Sequence, residues 1–350
     1  MEKRDIRALT KDQLRQVFAE RGESLFRGNQ VYEWLWKKRV ISFDEMTNIP
    51  LSTRQWLAET FEIHKIRVDE MQRSSDGTIK NAVRLRDQLV VESVLIPTEK
   101  RTTACVSSQV GCSLDCTFCA TAQLKRMRNL TPDEIFDQVA VIDNQSRLYY
   151  DRPLSNIVFM GMGEPLMNYN NVWKAIEMIT SSEGLGMSPK RITLSTSGVP
   201  KMIRKLADDG AAFNLAVSLH SAEEDLRQQI MPFSKAFPLL ELRDALAYWY
   251  KKTRRKVTYE YVVWKGLNDT PQAIKALVTF CKYVPCKVNL IEYNAIGDST
   301  FAQADFTAVE AYQKALQAIG VVAKIRRSRG SDIDAACGQL ANKNEAAQSV

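Results

Sequence analysis

Gly111-Cys112-Ser113-Leu114-Asp115-Cys116-Thr117-Phe118-Cys119 is the stretch that decides the fold. Its three cysteines follow C-x3-C-x2-C spacing. Thiolates packed this closely share one soft metal centre or repel one another. Three is one short of the ligand set of a structural zinc site and of a fully protein-ligated [4Fe–4S] cluster. A cluster held by Cys112, Cys116 and Cys119 leaves one iron open, and an open iron binds a substrate. Zinc, with Cys105 or a distant cysteine as fourth ligand, is the competing reading.

Outward from the cysteines, the chain alternates strands with helices. Apolar strand candidates lie at 104–108, 156–161, 191–196, 213–219, 256–263, 287–292 and 321–327. Helical patterns fill most gaps, at 131–143, 170–181, 200–209, 238–251, 271–283 and 306–318. Such alternation predicts an α/β chain with a parallel sheet, as a partial (β/α)6-type barrel or, in competition, a doubly wound sheet. Upstream, 65–73, 78–86 and 89–96 read as a β-meander with turns at Ser75-Asp76-Gly77 and Arg86-Asp87-Gln88. Before it, amphipathic helices are expected at 10–21, 28–39 and 52–61, the first opened by a Thr10/Gln13 capping box. The expected division is a helical domain at 1–64, a meander at 65–97, a barrel at 98–340 and a polar, disordered tail at 341–350.

Composition narrows the function. No run of 18 apolar residues exists to span a membrane, and the polar N-terminus carries no secretory signal, so cytoplasm is the expected compartment. Seven cysteines, an odd number, argue against a disulfide framework and for metal or redox chemistry. Two histidines are too few for most His-based zinc or acid–base schemes. The net charge of +7 permits a polyanionic partner, and its placement says more. Residues 1–40 hold ten Lys/Arg against six Asp/Glu. Basic runs follow at Lys125, Arg126 and Arg128, across Lys251–Lys256, and at Arg326, Arg327 and Arg329. Their nearness to candidate site loops favours a nucleic acid.

Other polar groups fall at the carboxyl ends of expected strands, where a βα barrel builds its site: Gly163-Glu164, Ser195, Ser218-Leu219-His220 and Asn294. Cys105 and Cys337 each read alone as a buried small hydrophobe. In a barrel, however, the ends of first and last strands are close, and such a pair can cycle between dithiol and disulfide. Glu92 shares a strand face with Val90, Val94 and Ile96, as a solvated rim residue or a functional acid/base. Cys281 and Cys286 receive no role.

The cysteine spacing after a first barrel strand resembles the radical S-adenosylmethionine (SAM) superfamily. Six segments together, CVSSQVGCSLDCTFCAT (105–121), FMGMGEPLMN (159–168), LSTSG (194–198), SLH (218–220), VNLIEYN (288–294) and DIDAACGQL (332–340), closely resemble the RlmN family of radical SAM RNA methyltransferases. The resemblance implies a partial radical SAM barrel with an N-terminal RNA-binding helical domain. It implies methylation at adenosine C2 in 23S ribosomal RNA and in tRNA, 3′ of the anticodon. The implied cofactors are a [4Fe–4S] cluster on Cys112, Cys116 and Cys119 and two SAM molecules per turnover. SAM would meet Gly163, Glu164, Ser195, Ser218, Leu219, His220 and Asn294. By the same resemblance Cys337 carries the methyl group, Glu92 accepts a proton, and Cys105 resolves the adduct through a Cys105–Cys337 disulfide. A flavodoxin-like electron donor, a monomeric enzyme and no membrane contact are also implied. The C8-methylating Cfr-type enzymes, which share the cluster and both extra cysteines, are the alternative.

Overall fold

The computed structural model describes residues 3–297 and 300–342. A capping box starts its first long helix, α1 (Lys11–Glu20): Thr10 Oγ1 accepts from Gln13 N at 3.2 Å, and Gln13 Oε1 accepts from Thr10 N at 2.9 Å. The next, α2, spans Leu25–Trp36, three residues earlier at each end than its periodicity suggests. Ser24 caps it by accepting from Phe26 N, and Arg39 takes a φ of 61°, which a helix cannot continue through. Pro50 precedes α3 (Leu51–Thr60). Leu14, Phe18, Val31, Leu35 and Leu57 are wholly buried between these helices.

This helical unit is fixed to the rest by a buried charge. Arg7 donates to both carboxylate oxygens of Asp137, at 2.7 and 2.9 Å, and Lys65 Nζ lies 3.1 Å from the same group. Asp137 belongs to α5 (Pro132–Tyr150), the helix that follows the cysteine loop and the short α4 (Ala120–Gln123). Trp36 also meets Phe136 of α5 edge-on, centroids 5.3 Å apart.

One ten-stranded sheet organises the remainder. Strands β1 (Arg67–Arg73), β2 (Ile79–Arg84) and β3 (Val90–Pro97) form the antiparallel meander, and β3 pairs antiparallel with β4 (Thr102–Cys105). From β4 onward every pairing is parallel, through β5 (Asn156–Phe159), β6 (Ile192–Thr196), β7 (Asn214–Ser218), β8 (Val257–Val262), β9 (Cys286–Ile291) and β10 (Val322–Arg326). The intervening helices are α6 (Tyr169–Thr180), α7 (Pro200–Asp208), α8 (Glu224–Ile230), α9 (Leu239–Thr253), α10 (Pro271–Cys281) and α11 (Phe306–Ala318). Neither α4 nor α8 has a counterpart among the helices read from the sequence.

The spatial order of strands follows chain order throughout. A doubly wound sheet reverses its order at a switch point, so that reading is excluded. β4 and β10 do not pair, so the barrel is partial and has an open seam between its first and last parallel strands. Most of the expected tail, 343–350, lies outside the described residues.

Removing Asp137 would strand Arg7 and Lys65 in a buried site. Asp137→Ala is expected to destabilise the protein by about 3–5 kcal/mol, the usual cost of orphaning a buried charge. Urea unfolding checks this; a loss under about 1 kcal/mol would mean the pair does not hold the helical unit in place.

Candidate active site

The cysteine loop leaves β4 and is held on several sides. Thr117 N donates to Ile230 O at the end of α8 (3.0 Å), Phe233 N donates to Asp115 Oδ1 (2.8 Å), and Ala120 N donates to Gly338 O (2.7 Å). Gly111 has a φ of +73°, and a Cβ there would stand 2.5 Å from Lys125 O. Only glycine lets the chain turn so tightly into Cys112. Cys112, Cys116 and Cys119 then line one cavity at the carboxyl ends of the parallel strands. Burial is the main cause of their raised thiol pKa values, with Cys112 at about 11. An apolar shell that includes Ile230, Met231, Val262 and Trp264 packs around Cys116 and Phe118.

Six of the seven expected SAM-contact residues line this same cavity: Gly163, Glu164, Ser195, Ser218, His220 and Asn294. Leu219 does not; its side chain is fully buried in the main core, and its N–H donates to Glu260 O at 3.0 Å. Following an exposed-looking loop motif in the sequence, it is turned inward by its place one residue past β7. Gly163 has a φ of +94°, and a Cβ there would stand 2.5 Å from Gln109 Cβ. The Gly163–Glu164 turn is thus pressed against the cysteine loop. Glu164 is buried; Leu166 N donates to Oε1 at 3.0 Å and Ser197 N donates to Oε2 at 2.7 Å. Burial nevertheless raises its pKa. His220 is buried against Phe118 and Trp264, and burial, then Arg227, lowers its pKa to about 3. Its Nδ1 accepts from Val262 N at 3.2 Å, so the neutral ring carries its proton on Nε2.

Cys337 borders this cavity and a second one. The second contains Cys105, Met160, Gly161, Arg326, Arg327 and Arg329. The segment carrying Cys337 is clamped from both sides. Asn294 Nδ2 donates to Cys337 O (3.2 Å), Thr121 Oγ1 to Leu340 O (2.6 Å), and Gln339 Nε2 to Ala295 O (3.2 Å). Cys337 is exposed while Cys105 is buried, and burial followed by the Cys337 charge pushes the Cys105 thiol up to about 12. Arg326 raises the electrostatic stakes: the Cys337 charge is the largest cause of its own raised pKa, and its guanidinium lies 3.7 Å from Glu260.

Glu92 corrects one expectation. It is not on a solvated rim but 1% exposed, because β3 is buried on both faces. Its carboxylate accepts from Ala341 N at 2.9 Å and Asn342 N at 3.1 Å, and lies 3.5 Å from Lys80 Nζ. It lines neither cavity described above; the segment four residues beyond Cys337 covers it. Cys281 and Cys286 sit at the opposite ends of the strands, where β9 begins.

The sequence gives no sign of Arg227. It is fully buried on α8, donates to Ser197 O at 2.7 Å, and its Nε and Nη1 find no hydrogen-bond partner among the described residues. Its charge interacts with Cys116. A lone arginine in a helix reads as surface, and only the fold buries it.

Residues 106–278 match the radical SAM superfamily, and residues 4–63 match the ribosomal RNA large subunit methyltransferase N-terminal domain. The chain is 71% identical to a probable dual-specificity RNA methyltransferase RlmN of Flavobacterium psychrophilum, over 98% of this chain and 99% of that one. It is 42% identical to the dual-specificity RNA methyltransferase RlmN of Marinobacter nauticus, over 98% and 94%. A crystal structure of a radical SAM methyltransferase from Sphaerobacter thermophilus superposes with a TM-score of 0.91 at 36% identity, covering 96% of this chain and 99% of that one.

The chain belongs to the RlmN family. It is a SAM-dependent radical RNA methyltransferase, and its superfamily implies a [4Fe–4S] cluster and SAM as cofactors. The site fits that cluster: Cys112, Cys116 and Cys119 line one cavity, and thiolates are the ligands an iron–sulfur cluster takes. Arg227, a buried cation with two unpaired N–H groups beside Cys116, calls for the negative charge that ligating thiolates supply.

Cys105 and Cys337 should differ in reactivity, since a buried thiol is both shielded from reagent and disfavoured as the reactive thiolate. In the cluster-loaded protein, iodoacetamide at neutral pH is expected to alkylate Cys337 roughly tenfold or more faster than Cys105. Peptide mass spectrometry reads both sites; equal rates would contradict the burial assigned to Cys105.

Proposed function

We propose that this RlmN-family enzyme methylates adenosine at C2, in the peptidyl-transferase region of 23S ribosomal RNA and 3′ of the anticodon in tRNA. The observation that carries this reading is the position of Cys337, shared between a cavity lined by the three cluster cysteines and a second, basic cavity that contains Cys105. One thiol there can be reached from a SAM site on one side and from an RNA base on the other.

Cys112, Cys116 and Cys119 would hold the cluster, with SAM against Gly163, Glu164, Ser195, Ser218, His220 and Asn294. When bound, the reduced cluster and SAM supply a radical able to abstract a hydrogen from carbon. A radical is needed because adenine C2 lies between two ring nitrogens and is electron-poor, as is the SAM methyl group. Everything else falls to residues of the chain. The Cys337 thiolate takes a methyl group from a first SAM by displacement, with Arg326 lining the same two cavities. Methyl-Cys337 then loses one hydrogen atom, and its carbon radical adds to C2. The adduct returns an electron to the oxidised cluster and gives up the C2 proton, for which Glu92 is the assigned acceptor. Support for Glu92 is its carboxylate beneath residues 341–342; movement of that segment would open it. Cys105, giving up its thiol proton, attacks the Cys337 sulfur, the carbon–sulfur bond breaks, the freed methylene carbon takes up a proton to become methyl, and the base leaves as a disulfide forms.

His220, held neutral, adds no positive charge beside cationic SAM and offers its Nε2 proton as a donor. Two SAM molecules are consumed per turnover, and a reducing protein of flavodoxin type supplies the electron. The enzyme acts as a monomer in the cytoplasm. Among the described residues no helix is long and apolar enough to cross a membrane. The target base must leave its stack to reach either cavity.

Two substitutions test the route. Cys337→Ala is expected to abolish methyl transfer to RNA while SAM cleavage persists; retained methylation removes Cys337 from the reaction. Cys105→Ala is expected to trap a covalent protein–RNA adduct, visible as a shifted band on a denaturing gel. Free methylated RNA at the normal rate would take the resolving role from Cys105.

A further inference from the structure

The amino ends of the parallel strands, opposite the cluster loop, open into a second strongly charged concavity of about 800 Å³. Lys100 and Arg101 enter it from the turn before β4. Lys190 and Arg191 enter from just before β6, Arg255 and Lys256 from just before β8, and Lys287 from β9. No acidic residue lines it, and none of these seven cations forms an ion pair among the described residues. The whole chain has an excess of only +7, so this one surface concentrates as many uncompensated charges as the protein carries net. Crowded like charges repel, and an anionic ligand relieves that repulsion. Ser155, Asn156, Thr193 and Asn214 add hydroxyl and amide groups between the cations, a mixture suited to phosphate oxygens.

The groove is not isolated from the reaction. Arg101 also lines the cavity that contains Cys105 and Cys337. That cavity follows the open seam between β4 and β10, and Arg326, Arg327 and Arg329 face it. Basic residues therefore stand at both ends of this cavity, Arg326, Arg327 and Arg329 at the carboxyl end of β10 and Arg101 before β4, next to the amino-terminal mouth. β6 has five residues, so the two mouths stand on the order of 17 Å apart, a span that a few nucleotides cover.

We propose that this groove binds the phosphate backbone of the RNA substrate flanking the target base, which reaches it along the seam past Arg101. The inference rests on the RNA methyltransferase activity and on Cys337 lying at the reacting base. It does not depend on which adenine carbon is methylated. RNA is favoured over an acidic protein because Arg101 joins the groove to the base cavity, whose carboxyl end carries Arg326, Arg327 and Arg329.

The test uses cluster-loaded enzyme carrying Lys190→Gln and Lys256→Gln together, with Lys190→Glu and Lys256→Glu as the stronger pair. The probe is an unmodified 23S ribosomal RNA transcript, titrated by fluorescence anisotropy over a series of salt concentrations. Each phosphate contact contributes roughly 0.7–0.9 to the slope of log affinity against log salt. The Gln pair is expected to lower that slope by about 1.4–1.8. The Glu pair is expected to raise Kd at least about tenfold near 100 mM salt. SAM cleavage without RNA and iron content should match the parent enzyme. An unchanged slope and Kd overturn the proposal. So does unchanged RNA binding with methylation slowed only under a protein reductant and normal under dithionite, which would assign the groove to an acidic electron donor. Should the Glu pair fail to fold, the Gln pair decides alone. Failure of wild-type enzyme to bind the transcript would instead strike at the substrate, a separate outcome read from the parent protein.

Discussion

The site depends first on direction. Seven strands, β4 to β10, run parallel, so all their carboxyl ends, and the loops that leave them, gather at one mouth. The cluster loop follows β4, the Gly163–Glu164 turn follows β5, Ser195 ends β6, Ser218 ends β7, and Asn294 follows β9. Cys337 arrives last, after β10. Residues more than two hundred positions apart in the chain meet because each sits at the carboxyl end of a strand in one sheet or on the loop that leaves it. The same arrangement sends the strand starts to the opposite mouth, where the unpaired cations collect.

Direction gathers these groups, and hydrogen bonds then fix them. The cluster loop and the Cys337 segment brace each other through Ala120 N to Gly338 O and Thr121 Oγ1 to Leu340 O. Burial drives every cluster thiol toward its neutral form, so holding iron and sulfide has to offset the cost of forming thiolates. Arg227 works in the other direction: its uncompensated charge beside Cys116 favours anionic sulfur. Cys105 and Cys337 divide along the same physical line. The buried thiol stays protonated, and the exposed one, near Arg326, is available for alkylation.

The strands were the most legible part of the fold. Each parallel strand carries apolar residues that pack into the core, and its expected bounds lie within three residues of the observed ones. The cysteine spacing and the Gly-rich turn were legible because their chemistry is written in consecutive residues. The parts that were hidden depend on distant packing. Glu92 interrupts an apolar strand, and period-2 alternation cannot tell that the chain's far end, at Ala341 and Asn342, covers it. Leu219 lies between two cavity-lining residues but points into the core. Arg227 and Glu260 look like ordinary surface charges until α8 and β8 bury them. The basic groove was scattered over three dipeptides and the single Lys287, of which only Arg255 and Lys256 belong to a basic run of the sequence.

The central claim is that the transferred carbon resides on Cys337 before it reaches the base. The most direct measurement supplies cluster-loaded enzyme with a reductant, methyl-trideuterated SAM and unmodified ribosomal RNA through many turnovers, followed by nucleoside mass spectrometry. The account predicts an adenosine methylated at C2 whose new methyl group retains two of the donor's three deuterium atoms, because one is removed while the carbon is bound to sulfur. A methyl group retaining all three, transferred intact, would contradict it.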